Sequence, residues 1–479
     1  MSGDPHEIEE FRKNGHFLID YMADFYADLS NKTIIPPSKS YLEIKNTSFK
    51  REGMKFDNLF QELERTVIEG TMLQIHPRFF GFVPSAGLST GSLADLLISF
   101  LNQNAGRVTG GPSASLVEDE VIRWIAEVAG LPDTAGGTLV SGGSIANLTA
   151  MVVARDAASP GIPYGGVATA EKRLVAYASD QVHFSVEKAL DICGIGRKNL
   201  RLIETDEKLK LIPSKLRKAI DIDIDAGYQP FCVIGTAGTT TTGAIDPLED
   251  IAKICRNNNL WFHVDGAYGG FARLIEEGRQ KLRGIELADS ITLDPHKWLL
   301  LPYDIGCIIV KDLQALEGAF SIVPSYLEEP SRNENSSFTN YYKRGIQLSR
   351  QFRALKVWMA LKYHGTDFFA QNIEVNCKMA LLFYSKINGS ENFETLPPPE
   401  LSVVCFRFKP SGFSEEEISV LNKRLYCKLK AAGNAFFSSV IVRQKYYLRA
   451  CFINYRTTPN DVELAHEEIV KTAISLIKS

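Results

Sequence analysis

Residues 231–270, FCVIGTAGTTTTGAIDPLEDIAKICRNNNLWFHVDGAYGG, hold an apolar run ending in small and hydroxyl residues, a helical stretch, and a second apolar run ending in Asp265. Short apolar strands separated by helices are the unit of a parallel sheet covered on both faces. The alternation continues outward: GGTLVSGG (136–143), RLVAYAS (173–179), SITLD (290–294) and GCIIV (306–310) are further apolar runs of strand length. The expected fold is therefore α/β, a mostly parallel sheet with helices on both faces. Ligands of such folds bind at the carboxyl ends of strands, and each of these runs ends in small or polar residues.

The chain has 479 residues, a net charge of −4 and 45% hydrophobic residues, enough for a large core. No stretch approaches the roughly 18 uncharged apolar residues of a membrane span; even LADLLISFL (93–101) contains Asp95. The acidic start, MSGDPHEIEEF, lacks the features of a signal peptide, so a cytoplasmic location and no membrane partner are expected. The eight cysteines are scattered and never form C-x-x-C, which fits free thiols in a reducing compartment. The eight histidines are equally dispersed, so no metal site is expected. Without a basic run, nucleic acid is not an expected partner.

Residues 6–29 and 54–68 repeat apolar side chains at helical spacing and define an N-terminal helical arm, residues 1–85. Faces that wide cannot bury themselves on each other, so the arm is expected to pack on the main body or on a second subunit. Residues 86–366 form the large domain. Its polar stretch EEPSRNENSSFTNYYKRG (328–345) is either a surface linker or a mobile lid. From 367 to 479 alternating strands such as LSVVCFRF (401–408) and YYLRACFINY (446–455) with amphipathic helices predict a small α+β domain.

Asp265 ends one predicted strand and Lys297, in DPHKWLLL, follows another, with one helix and one strand between them. A carboxylate and a lysine at one sheet edge are ordinarily a structural ion pair. Three further strand ends argue for chemistry instead. SGGSIANLTA (141–150) puts Gly142, Gly143 and Ser144 where a helix begins, exposing N–H groups to an anion. GTAGTTTTG (235–243) adds hydroxyls, Thr239 among them, and SDQVHFSVEKA (179–189) adds His183. An anion cup, an aromatic plate, a carboxylate and a lysine are the inventory for holding pyridoxal phosphate. In that reading Lys297 links to the cofactor aldehyde, an apolar setting keeping its amine neutral. Asp265 faces the pyridine nitrogen, His183 stacks on the ring, and Gly143, Ser144, Asn147 and Thr239 hold the phosphate.

The ordered set HPRFFGFVPSA, GPSASLVEDEVIRW, SGGSIANLTA, SDQVHFSVEKA, GTAGTTTTGAIDPL, HVDGAYGG, DPHKW and QLSRQFRALKVW resembles the pyridoxal-phosphate-dependent group II amino acid decarboxylases, and among them the aromatic L-amino acid decarboxylases. The resemblance covers essentially the whole chain. It implies fold type I with a seven-stranded sheet, and a homodimer with shared active sites and a swapped N-terminal arm. It further implies that Ala267, Asp294 and His296 join the cofactor contacts. A loop tyrosine, placed at Tyr341 with Tyr342 as its neighbour, would return a proton to the substrate carbon after carbon dioxide leaves. Phenylalanine at that position accompanies aldehyde formation with oxygen in relatives, so tyrosine favours simple decarboxylation.

By the same resemblance Phe79, Phe82, Val83, Pro84 and Ser85 line the substrate pocket, and Ser349 tilts the preference toward tyrosine, dopa or phenylalanine over tryptophan. Two positions depart from the aromatic pattern. Asp294 replaces an asparagine, and a carboxylate cannot donate to phosphate, so a contribution through its backbone or none is expected. Arg107 stands where aromatic-specific members carry an uncharged residue. Pointing into the pocket, it would favour an acidic substrate such as glutamate, aspartate or cysteine sulfinate.

Overall fold

A computed structural model describes residues 5–36, 39–46, 49, 51–322 and 340–477. The large domain is built on strands β1 (Gly136–Val140), β2 (Leu174–Ser179), β3 (Leu200–Ile203), β4 (Gln229–Thr236), β5 (Trp261–Asp265), β6 (Ser290–Leu293) and β7 (Gly306–Val310). They form a seven-stranded sheet in the order β1-β7-β6-β5-β4-β2-β3. Strand β7 pairs antiparallel with both β1 and β6, and the other pairings are parallel. All strands but β7 therefore end at the same edge.

Both faces are covered, which is why the strands read as unbroken apolar runs. In β2, Val175 and Tyr177 join one core cluster while Leu174, Ala176 and Ala178 join another on the opposite face. That is the period-2 alternation of a strand buried on both sides. The edge strand β3 is only partly buried, so its pattern is weaker, and it lay outside the runs quoted above.

The small domain carries a four-stranded antiparallel sheet in the order β10-β11-β9-β8, from β8 (Phe393–Thr395), β9 (Val403–Phe408), β10 (Ser438–Val442) and β11 (Lys445–Cys451). Phe406, Leu448 and Phe452 pack there with Phe383, Leu425 and Ile469 from three helices in a separate core. The N-terminal helix Pro5–Ala27 contains no buried residue. Phe17 and Tyr21 meet Phe60 at centroid distances of 4.7 and 4.9 Å, yet Ile8, Phe11 and Met22 stay exposed. Helix Ser89–Leu101 likewise presents Leu93, Leu96, Leu97, Phe100 and Leu101 to solvent. Among the described residues no helix is long and apolar enough to cross a membrane. Most of the 328–345 stretch lies outside the described residues; its end, Tyr341–Arg344, is a short 3-10 helix.

Candidate active site

A cavity of about 360 Å³ opens at the edge where the parallel strands end. Ser141, Gly142, Gly143 and Ser144 reach it from the end of β1, and His183 and Ser185 from the end of β2. Thr236, Gly238 and Thr240 come from β4, and Asp265, Ala267 and Tyr268 from β5. Asp294, His296, Lys297 and Tyr303 follow β6. Asp265 and Lys297 thus share one cavity because β5 and β6 are adjacent and parallel.

The Asp265 carboxylate is held from two sides. Its Oδ2 accepts from Asn147 Nδ2 at 2.9 Å and its Oδ1 from the Ala267 N–H at 3.1 Å. Asn147 is itself fixed: its Oδ1 accepts from Thr292 Oγ1 at 2.7 Å and lies 3.1 Å from His263 Nε2. Asn147 was expected to hold phosphate; with its amide committed to Asp265 and to Ser185 Oγ, it orients the carboxylate instead. His183 caps helix Phe184–Ile192, its Nδ1 lying 2.7 Å from Ser185 Oγ. Burial lowers its pKa and Lys297 lowers it further, against the opposing pull of Asp265 and Asp294, so the ring is neutral near pH 7.

The cup is tight enough to require glycine at two of its positions. A Cβ on Gly142 would sit 3.1 Å from His296 Cε1, and one on Gly143 would sit 2.9 Å from Asp294 Oδ2. Helix Gly143–Ala158 begins here; the Ile145 and Ala146 N–H groups donate to the Gly142 carbonyl, while those of Gly143 and Ser144 have no acceptor within the helix. The donor set fits pyridoxal phosphate: an N-terminal N–H cup at one end, a positioned carboxylate at the other, a lysine and a histidine between. Thr239 does not take part. It is fully buried and its Oγ1 meets Thr242 Oγ1 at 3.0 Å, while the next residue, Thr240, lines the cavity.

Lys297 differs from the expected neutral amine in an apolar setting. Its Nζ lies 3.1 Å from Asp294 Oδ2. Burial pulls its pKa down, but the Asp294 and Asp265 carboxylates outweigh that and leave it raised, so the free chain holds an ammonium there. Asp294, expected to act through its backbone or not at all, is a side-chain partner, 1% exposed.

Tyr341 is placed elsewhere. It is fully buried, its hydroxyl donates to Asp119 Oδ1 at 2.7 Å, and the Arg344 and Arg350 guanidiniums lie over its ring at 5.1 and 4.9 Å. Arg350 is anchored in turn by Glu118, Nη2 to Oε1 2.6 Å. A phenol so committed cannot serve the cavity. Tyr342 is also buried, beneath the guanidinium of Arg107 at 5.7 Å. Arg107 does not line the cavity.

None of the six substrate-pocket candidates lines the cavity either. Phe79 is core, stacked on Phe436 at 4.9 Å. Ser85 donates to the Leu301 carbonyl at 2.8 Å, and Val83 and Pro84 are buried. Phe82 and Ser349 are exposed. Sequence reasoning missed Ser141, Ser185, Thr240 and Tyr303. The first three sit in strand-end motifs already singled out, and Tyr303 ends the apolar run after Lys297.

The chain matches the pyridoxal-dependent decarboxylase conserved domain over residues 38–409. It is 37% identical over 457 residues to an aromatic-L-amino-acid decarboxylase of Bacillus atrophaeus, covering 95% of this chain and 93% of the relative. It is 33% identical to tyrosine decarboxylase 4 of Petroselinum crispum, with 98% and 94% covered. The crystal structure of Oryza sativa TDC with PLP and tryptamine superposes with a TM-score of 0.93 at 30% identity, covering 99% of this chain and 100% of that one. A cofactor cup at the sheet edge and a family match across most of the length make this chain a member of the pyridoxal-dependent decarboxylase family, an amino acid decarboxylase that uses pyridoxal phosphate.

Proposed function

We propose that the enzyme decarboxylates an aromatic L-amino acid to its amine and carbon dioxide, acting as a cytoplasmic homodimer with shared active sites. The observation that carries the chemistry is the fixed Asp265 carboxylate in one cavity with Lys297. Bound there, pyridoxal phosphate supplies an aldehyde for attachment and a ring that accepts the electrons left when the carboxylate departs. Asp265 keeps the ring nitrogen protonated, and Asn147 and Ala267 keep Asp265 aimed. His183 presents a neutral imidazole to the ring, and Ser141, Gly143 and Ser144 supply phosphate donors. Lys297 is the attachment point, and His296 and Asp294 sit beside it.

The aromatic preference is supported by the printed activities of the relatives, an aromatic-L-amino-acid decarboxylase and a tyrosine decarboxylase. An acidic substrate would need a cation in the pocket, and among the described lining residues Lys297 is the one lysine or arginine. The loop tyrosine that the family resemblance implies passes, with Tyr341 and Tyr342 buried, to Tyr326, which lies outside the described residues. Exposed apolar faces on helices Pro5–Ala27 and Ser89–Leu101 support the dimer, and the exposed Phe82 and Ser349 are free to serve a second copy. The free cysteines support a reducing compartment.

The test is incubation of the holoenzyme with tyrosine, dopa, phenylalanine, tryptophan, glutamate, aspartate and cysteine sulfinate. Carbon dioxide, amine, aldehyde and peroxide are measured together, and sedimentation reports the mass. Aromatic amine with stoichiometric carbon dioxide from a dimer is expected. Aldehyde with peroxide, or turnover of the acidic substrates alone, would overturn the reading.

A further inference from the structure

Asp294 carries an unusual burden for a residue in an anion cup. Its side chain is 2% exposed, with Oδ2 at 3.1 Å from Lys297 Nζ and 3.6 Å from His296 Nε2. Its other oxygen, Oδ1, is buried and has no hydrogen-bond partner. The carboxylate packs closely on two glycines: a Cβ on Gly143 would approach Oδ2 to 2.9 Å, and one on Gly306 would approach Oδ1 to 2.6 Å. It is wedged between the first residue of the cup helix and the start of β7. A phosphate bound at that helix end brings negative charge against a fixed carboxylate, which is unfavourable unless the carboxylate is neutralised. The nearest proton is on Lys297.

We propose that Asp294 makes cofactor binding a proton-coupled event, in which phosphate entering the cup drives one proton from Lys297 Nζ to Asp294. The inference rests on the assignment of this cavity to pyridoxal phosphate. One N–H bond breaks and one O–H bond forms, the pair is neutral overall before and after, and no outside acid or base is needed. The amine keeps the lone pair that the aldehyde requires. The new carboxylic O–H becomes a donor toward the phosphate, a capacity the carboxylate lacks. Asp294 is thus a positioning residue that releases its hold on Lys297 only when the cofactor arrives. The charged and titratable groups facing the pair are His296 and Lys297 on its own segment, Asp265 at the end of β5, His183 before its helix, Tyr303 in the returning loop, and Cys307 in β7.

Two measurements on the full chain test this. Infrared difference spectra are recorded as cofactor-free enzyme binds pyridoxine 5′-phosphate, which has the phosphate but no aldehyde. A new protonated-carboxyl band, absent in Asp294→Asn, is expected. Separately, the rate of pyridoxal phosphate attachment is followed by visible absorbance across pH. The unaltered chain is expected to be nearly flat, while Asp294→Asn, whose amine keeps Asp265 as its remaining carboxylate and must lose its proton to solvent, gains with pH by up to roughly tenfold per unit until the amine is neutral. Superposed pH profiles, or binding without the band, would overturn the proposal. Failure of the unaltered chain to bind pyridoxine 5′-phosphate at all would overturn the cofactor assignment along with it. If Asp294→Asn does not fold, the infrared experiment on the unaltered chain still decides.

Discussion

Asn147 reaches Oδ2 of Asp265 at 2.9 Å while both residues are nearly inaccessible to water. The carboxylate that would face the cofactor ring is therefore set by an amide 118 residues away in sequence. Asn147→Ala should leave Thr292 Oγ1 without its acceptor and cost about 1–3 kcal/mol of stability. It should weaken pyridoxal phosphate by roughly tenfold. Because Asn147 acts through Asp265, the affinity ratio between pyridoxal phosphate and unphosphorylated pyridoxal should not change. A collapse of that ratio would return Asn147 to the phosphate.

Gly143→Ala makes the opposite prediction. The added methyl meets Asp294 Oδ2 at 2.9 Å and Ala267 Cβ at 3.1 Å. It narrows the cup and should weaken the phosphorylated cofactor by roughly tenfold or more while changing pyridoxal much less. Equilibrium titration with both compounds checks it.

Tyr341→Phe removes the bond to Asp119 and should cost about 1.5–3 kcal/mol, the range for a hydrogen bond to a charged group. Denaturant unfolding would register the loss, yet the ratio of amine to aldehyde produced should match the unaltered enzyme. Tyr326→Phe, measured alongside, is expected to shift that ratio toward aldehyde. The reverse pattern would restore Tyr341 to the chemistry.

Burial pushes the His263 pKa down to about 4. A histidine in the unfolded chain titrates near ~6.5, so between these values the unfolded state binds more protons. The contribution of His263 is complete above the unfolded value and is lost as pH falls through the folded one. His263→Gln should therefore flatten the acid side of the stability profile by up to about 1.4 kcal/mol per pH unit. Asp246 acts oppositely, because burial raises its carboxyl to about 6 and its contribution is lost as pH rises toward that value. Asp246→Asn should steepen the same limb, and denaturation midpoints across pH distinguish the two.

Asp265 and Lys297 were legible because each follows an apolar run that stops abruptly, and a parallel sheet gathers such stops at one edge. What the pattern hides is pairing across distance. Thr239 and Thr240 sit in an uninterrupted run of threonines, and only the turn geometry decides which hydroxyl faces the cavity. Asn147 looks like a helix-start donor, but its partners come from β5, β6 and the end of β2. Tyr341 follows from the family resemblance alone, which is blind to Asp119, the acceptor that holds its hydroxyl inside. The half-exposed Leu200–Ile203 strand left no comparable mark because one edge of it faces no neighbour.

Strand β7 runs against both of its neighbours, with Leu293 of β6 opposite Cys307 of β7. The chain that leaves β6 with Asp294 and Lys297 returns at once into the adjacent strand instead of crossing the sheet. Both ends of the lysine segment are stapled to the same ladder. An inserted residue between 294 and 305 that slid β7 by one position would exchange Cys307 and Ile309 with Ile308 and Val310, sending each pair into the core on the opposite face. The reactive amine is held by a ruler, and evolution of the substrate side can proceed on other loops without moving it.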